Sequence, residues 1–233
     1  MKEAREILGA ALKRNQRALS EFESKQLLSA YGIPVARGAI GRDWNETCKA
    51  ASSIRYPVVL KFCSPEVTHK TEKNLIEIDI RDEKGLHEAY QRISKEVKDA
   101  DKGFLVEEMI KGSRELVIGM TRDPQFGPCV MFGLGGIFTE VLNDVCFRVA
   151  PIEKRDALEM MQEIKANKIL QSIRGMEAVD LDELSQSIIS LGKIGLENDS
   201  VEQIDVNPLI IKGGQPIAAD ALVILRQTGS ELS

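Results

Sequence analysis

The chain of 233 residues has few aromatics (5%), one tryptophan and two histidines, and no uncharged apolar run near the roughly 18 residues of a membrane span. A membrane-spanning helix is thereby excluded, and aliphatic residues must supply the core. Cys48, Cys63, Cys129 and Cys146 form no C-x-x-C pair, so neither a zinc site nor a disulfide framework is indicated. They read as reduced, packed thiols. Positive charge is not in excess either: 31 Lys and Arg face 36 Asp and Glu, a net charge of -5 that argues against a nucleic-acid partner. Small anionic ligands would then need local cationic or backbone sites. No internal repeat or low-complexity tract is present. The opening MKEAREILGAALKRNQ lacks the apolar block and cleavage site of a signal peptide, so a cytoplasmic location is expected.

What is there reads as interleaved helices and strands. Helices are expected over 2–16, from Ser20 to about Gly32 with a Ser20/Glu23 capping box, over Trp44–Ile54, from Asp82 to Val97, and near 153–163, 166–172 and 181–196. Strands are expected at 58–62, 75–80, 104–110, 115–120, 128–133, 145–149, 201–206, 208–211 and 216–225. Lys111-Gly112-Ser113 reads as an antiparallel connection. Without a strict βαβ repeat, the class is α+β in two lobes. The expected division is an N-terminal helical extension over 1–17, a first lobe over 18–105 and a second over 106–233.

Four stretches carry groups capable of chemistry. In YPVVLKFCSPEVTHK, alternation turns Val58, Leu60 and Phe62 to the core and Lys61 to the other face, where it either snorkels to solvent or meets a phosphate. His69 follows on a polar loop, as an idle exposed histidine or as a phosphoryl acceptor. His87, inside a helix, is read as a histidine of no functional consequence. In FGLGGIFTE, Gly133, Gly135 and Gly136 form a sharp turn or an anion-binding loop. In VEQIDVNPLIIKGGQPIAADALVIL, Asp205 and Asn207 share a strand face and Asp220 returns on the next strand, an oxygen set suited to Mg²⁺. Capping of a turn before Pro208 is the competing reading for the first two.

Taken in order, ESKQLLSAYGIPV, YPVVLKFCSPEVTHK, RELVIGMTRDPQFGPCVMFGLGGIFTEVLNDVCFRVAPI, IDVNPLI and AADALVIL resemble the beta subunit of ADP-forming acetate–CoA ligases, ATP-grasp proteins related to the succinyl-CoA synthetase beta subunit. The resemblance covers nearly the whole chain. It implies an ATP-grasp fold of two lobes with ATP or ADP between them, Mg²⁺, and a CoA-binding alpha part, usually in an assembly of two alpha and two beta chains. It further implies the reaction acetyl-CoA + ADP + phosphate = acetate + ATP + CoA, with the phosphoryl group carried from the alpha part to ADP on a histidine.

By the same resemblance that carrier is His69, and Lys61 is the phosphate-contacting lysine. Glu107, Glu108 and the backbone near Met109 form the hinge that reads adenine, and Glu115 is the ribose-binding glutamate. Asn207 and Asp220 are the magnesium ligands, Asp205 orients His69 or assists the metal, and Gly133, Gly135 and Gly136 approach the phosphohistidine. One departure stands out: Asn74-Leu75 replaces a Gly-Gly pair common after the family's histidine motif, which stiffens the segment. A carboxylate–amine ligase of the same fold and a regulatory nucleotide-binding module are the competing readings.

Overall fold

Val58, Leu60 and Phe62 alternate along β2 (Val58–Cys63) and pack with Leu86, Ala89 and Ile93 of α4 (Glu83–Glu96) in one apolar cluster. Leu86, Ala89 and Ile93 recur at helical spacing, so one stripe of α4 is apolar while its remainder faces water. Fully burying a leucine or isoleucine of this kind stabilises by roughly 1.5–3 kcal/mol. The computed structural model describes residues 2–65, 75–97, 103–136, 143–173 and 175–226. These divide into two units, one of residues 20–22 and 36–110, the other of 1–19, 23–35 and 111–233.

The first unit is a four-stranded antiparallel sheet in the order β1-β4-β2-β3, with β1 (Gly38–Gly41), β3 (Ile76–Ile80) and β4 (Gly103–Glu108). Helix α3 (Trp44–Ile54) packs on β1 and β4, and α4 on β2 and β3. Both helices start on an aspartate: Asp43 accepts from the Glu46 N–H and Asp82 from the Gly85 N–H, each at 2.8 Å. His87 lies edge-on to Trp44 with ring centroids 4.6 Å apart.

The second unit contains α1 (Lys2–Lys13), most of α2 (Glu21–Ala30), β5 (Glu115–Asp123), β6 (Gly127–Leu134), β7 (Val145–Val149), α5 (Lys154–Glu163), α6 (Leu181–Glu197), β8 (Val201–Lys212), β9 (Gln215–Ala218) and β10 (Leu222–Leu225). Its sheet runs β10-β8-β5-β6-β7, with β9 also paired to β8. Leu184, Ile188, Leu191 and Ile194 of α6 share a core with Ile118, Met120, Val130, Phe132, Ile204 and Val206 of the sheet. Arg122 donates to the Gly195, Asn198 and Val201 carbonyls, which satisfies the end of α6 with a cation where the helix dipole favours one.

Several expectations are corrected. β4 and β5 do not form a hairpin across Lys111-Gly112-Ser113: β4 pairs with β1 and β2, and β5 with β6 and β8. The expected boundary at 105/106 falls inside β4, and α1 is no extension, since Ala4, Leu8 and Ala11 join the core of the second unit. Residues 167–170 form one 3₁₀ turn rather than a helix over 166–172. Val201–Lys212 is a single strand through Pro208, whereas 216–225 splits into β9 and β10 around Ala219–Ala221. Among the described residues no helix is long and apolar enough to cross a membrane.

Candidate functional site

The expected site residues lie in both units. In the first, Lys61 is 4% exposed although it sits on the face of β2 opposite Leu60 and Phe62. The snorkelling reading is therefore wrong, because Val59 and Lys61 are buried along with the rest of the strand. What tolerates an ammonium there is a pair of carboxylates. Its Nζ is 2.5 Å from Glu21 Oε1 and 3.0 Å from Glu107 Oε2, and those residues are 3% and 2% exposed. Glu107 comes from β4, whose neighbour β2 pairs Val59 with it. Glu21 opens α2, forty positions before Lys61, and no spacing signal links the two.

Successive residues of β4 point to opposite faces, so Glu108 turns away from Lys61. It accepts from the Arg37 backbone N–H at 3.0 Å and from the Arg37 guanidinium at 3.2 and 3.3 Å. Met109 follows, and its N–H donates to the Pro57 carbonyl at 3.3 Å. The expected hinge residues are thus contiguous, with their carboxylates held by cations.

In the second unit, Glu115 opens β5, and Gly135 and Gly136 form the turn after β6. The Gly135 N–H donates to the Glu115 carbonyl at 2.9 Å, and the Gly136 N–H to Asn207 Oδ1 at 3.1 Å. Gly136 has φ +64°, and a Cβ there would collide with the Glu115 carboxylate. Gly133 and Gly135 admit close backbone approach, to Asp144 and Val145 and to Leu116 respectively. The turn closes on Glu115 and Asn207, bringing four expected residues together, Gly135 and Gly136 included.

Asp205 and Asn207 lie on one face of β8 while Val206 between them is fully buried in the core, as alternation requires. Asp205 pairs with Gly119 of β5 on one side and Leu222 of β10 on the other. Burial, and then the neighbouring Asp220 carboxylate, push the Asp205 carboxyl above its ordinary range. Asp220 lies in the break between β9 and β10, where its Oδ1 accepts from the Ala221 N–H at 2.8 Å. Two interacting carboxylates and the Asn207 amide oxygen make an all-oxygen donor set. That fits Mg²⁺, which keeps waters and shares phosphate oxygens rather than needing a full protein cage. Among the described residues no group of three or more His, Cys, Asp and Glu forms a metal cluster. His69 lies outside the described residues.

Residues 10–225 match the family model described as an ATP-grasp domain. The chain is also 44% identical over 227 residues, 95% of its length and 97% of the relative's, to the acetate–CoA ligase [ADP-forming] I subunit beta of Pyrococcus furiosus. It belongs to the ATP-grasp beta subunits of ADP-forming acetate–CoA ligases. This ATP-grasp chain is similar in structure to the dinucleotide-forming acetyl-coenzyme A synthetase 1 of Ca. Korarchaeum cryptofilum, in complex with coenzyme A, Ca-AMPCP and HgCl⁺. That likeness has a TM-score of 0.91 and 40% identity, over 96% of this chain and 100% of that one. A second structure of that protein contains coenzyme A and Mg-AMPPCP, with a phosphohistidine segment pointing towards the nucleotide-binding site. It matches with a TM-score of 0.84 and 40% identity over the same shares. Sequence reasoning missed Glu21, whose partner is remote in sequence, and Lys25, considered below.

Proposed function

We propose that the chain is the nucleotide-handling subunit of an ADP-forming acyl-CoA synthetase, catalysing with a CoA-binding alpha subunit the reaction acetyl-CoA + ADP + phosphate = acetate + ATP + CoA. The observation that carries this reading is the match along nearly the full length of a beta subunit of that name. The assembly is two alpha and two beta chains, and the protein works in the cytoplasm.

In this reading an imidazole nitrogen of His69 takes a phosphoryl group from the alpha subunit, forming an N–P bond as the donor's bond to phosphorus breaks. A terminal oxygen of ADP then displaces the imidazole, giving ATP and restoring His69. The Korarchaeum structure with its phosphohistidine segment turned to the nucleotide supports the second half of this path. Lys61 contacts a nucleotide phosphate, exchanging part of its pairing with Glu21 and Glu107 for the new anion. Met109 and the adjoining backbone receive the base, and Glu115 receives the ribose. Gly133, Gly135 and Gly136 lie near the phosphohistidine. Asn207 and Asp220, with Asp205 assisting, would hold Mg²⁺, which supplies charge neutralisation for the phosphates.

The test is to incubate the chain and its His69→Ala variant with Mg²⁺ and γ-labelled ATP, with and without a CoA-binding alpha subunit, and assay acid-labile, alkali-stable label. Label on the wild type alone is expected. Equal label on both, or none even with the alpha subunit present, would refute the carrier role.

A further inference from the structure

The loop bearing Asp220 is held by a residue remote from it in sequence. Ala219–Ala221 breaks the strand between β9 and β10, so the pairing with β8 is interrupted between Ala218 and Leu222. Both backbone polar groups of Ala219 are nevertheless engaged. Its N–H donates to the Pro208 carbonyl at 3.0 Å, and its carbonyl accepts from Lys25 Nζ at 2.7 Å. Lys25 belongs to α2, whose Leu27 and Leu28 are fully buried, and is itself only 3% exposed. Burying an ammonium costs several kcal/mol, so a lysine at this position needs a compensating role that a methionine of similar shape would not fill. The short bond to Ala219 is charge-assisted, stronger than a neutral bond and directional.

We infer that Lys25 is a positioning residue for the metal-holding pair: through the Ala219 carbonyl it fixes the β9–β10 break and so sets where Asp220 stands relative to Asp205. The inference rests on the reading of Asp205 and Asp220 as groups that hold Mg²⁺. Two like charges in a partly buried place separate when their tether is released. The loop is where that movement happens, because Asp205 is locked in a paired strand between Gly119 and Leu222. Lys25 therefore acts before any metal arrives, by preventing the pair from spreading.

The experiment is a Mg²⁺ titration of AMPPCP binding to the full chain by calorimetry, for wild type, Lys25→Met, Lys25→Arg and Asp220→Asn. Lys25→Met keeps the apolar stem and removes the donor. It is expected to raise the Mg²⁺ midpoint about tenfold, the scale of losing a partner that orients a metal ligand. Saturating Mg²⁺ should restore AMPPCP affinity, and Lys25→Arg should restore most of the midpoint. An unchanged midpoint in Lys25→Met, or a loss equal at every Mg²⁺ concentration, overturns the proposal. If Lys25→Met does not fold, Lys25→Gln takes its place under the same criteria. Should Asp220→Asn leave the midpoint unchanged, the metal reading itself fails. A shift in Asp220→Asn without one in Lys25→Met sinks only the role of Lys25.

Discussion

Replacing Lys61 with methionine would leave Glu21 and Glu107, both nearly inaccessible to solvent, without the ammonium between them. At an effective dielectric near 20, contacts at these separations supply about 6 kcal/mol of attraction each. Most of that offsets the desolvation of the three charges, and breaking a buried pair typically costs about 3–5 kcal/mol. Losing the ammonium favours uptake of protons by the two carboxylates. Protonating an ordinary glutamate at pH 7 costs about 3.7 kcal/mol, which puts the ceiling for two near 7 kcal/mol. Lys61→Met is therefore expected to lose about 3–7 kcal/mol at pH 7, with the deficit shrinking by up to about 2.7 kcal/mol per pH unit as the pH falls. Urea unfolding of wild type and variant between pH 5 and 8 measures both numbers. The triple variant Lys61→Met/Glu21→Gln/Glu107→Gln should recover much of the loss and abolish its pH dependence. A deficit below about 1 kcal/mol at pH 7, or one independent of pH, would refute the view of Lys61 as a buried charge balanced by two glutamates.

Asp205→Asn should stabilise the metal-free chain at neutral pH while raising the Mg²⁺ requirement for nucleotide binding. The sign follows from the raised carboxyl. Between its unfolded and folded titrations the native state holds the extra proton, so stability falls as pH rises through that window, and the variant should lack this slope in thermal melts. Gly136→Ala forces a non-glycine residue to φ +64° at a cost of about 1–2 kcal/mol and pushes its Cβ into Glu115. AMPPCP affinity should drop with it, and wild-type affinity would contradict a role for Glu115 beside the turn. Arg114→Met strips donors from the carbonyls of Ile169, Gln171 and Glu177 and should destabilise by about 2–5 kcal/mol in urea unfolding.

Local pattern carried much of the fold. The α3 segment, Asp82 as the start of α4, and the β2 run were legible because capping and alternation act over a few residues. The fate of the segment after Lys111-Gly112-Ser113 was not, since a short polar link between two apolar runs looks the same whether the second strand pairs back or joins another sheet. β5 is claimed by β6 and by β8, the latter more than 70 residues downstream, and only that pairing decides it. Lys61 shows the same limit at the level of a side chain. Alternation placed it correctly opposite Leu60, but the burial of that face depends on Glu21 and Glu107, far away in sequence. That Asp205 and Asn207 share a strand face was legible, because alternation acts over two residues, whereas the break that takes Asp220 off the next strand was not. Neither was Lys25, because its partner is a backbone carbonyl.

The cysteines have a use that their inertness provides. Cys48 and Cys63 belong to one unit and Cys129 and Cys146 to the other, and in each unit one thiol is buried and one partly accessible. Burial pushes the Cys146 thiol up to about 11, so at neutral pH it reacts only after its surroundings open. Without any engineered label, the chain thus holds a buried and a partly accessible thiol reporter in each half. Mass-resolved alkylation can time the opening of the two halves separately, with and without nucleotide.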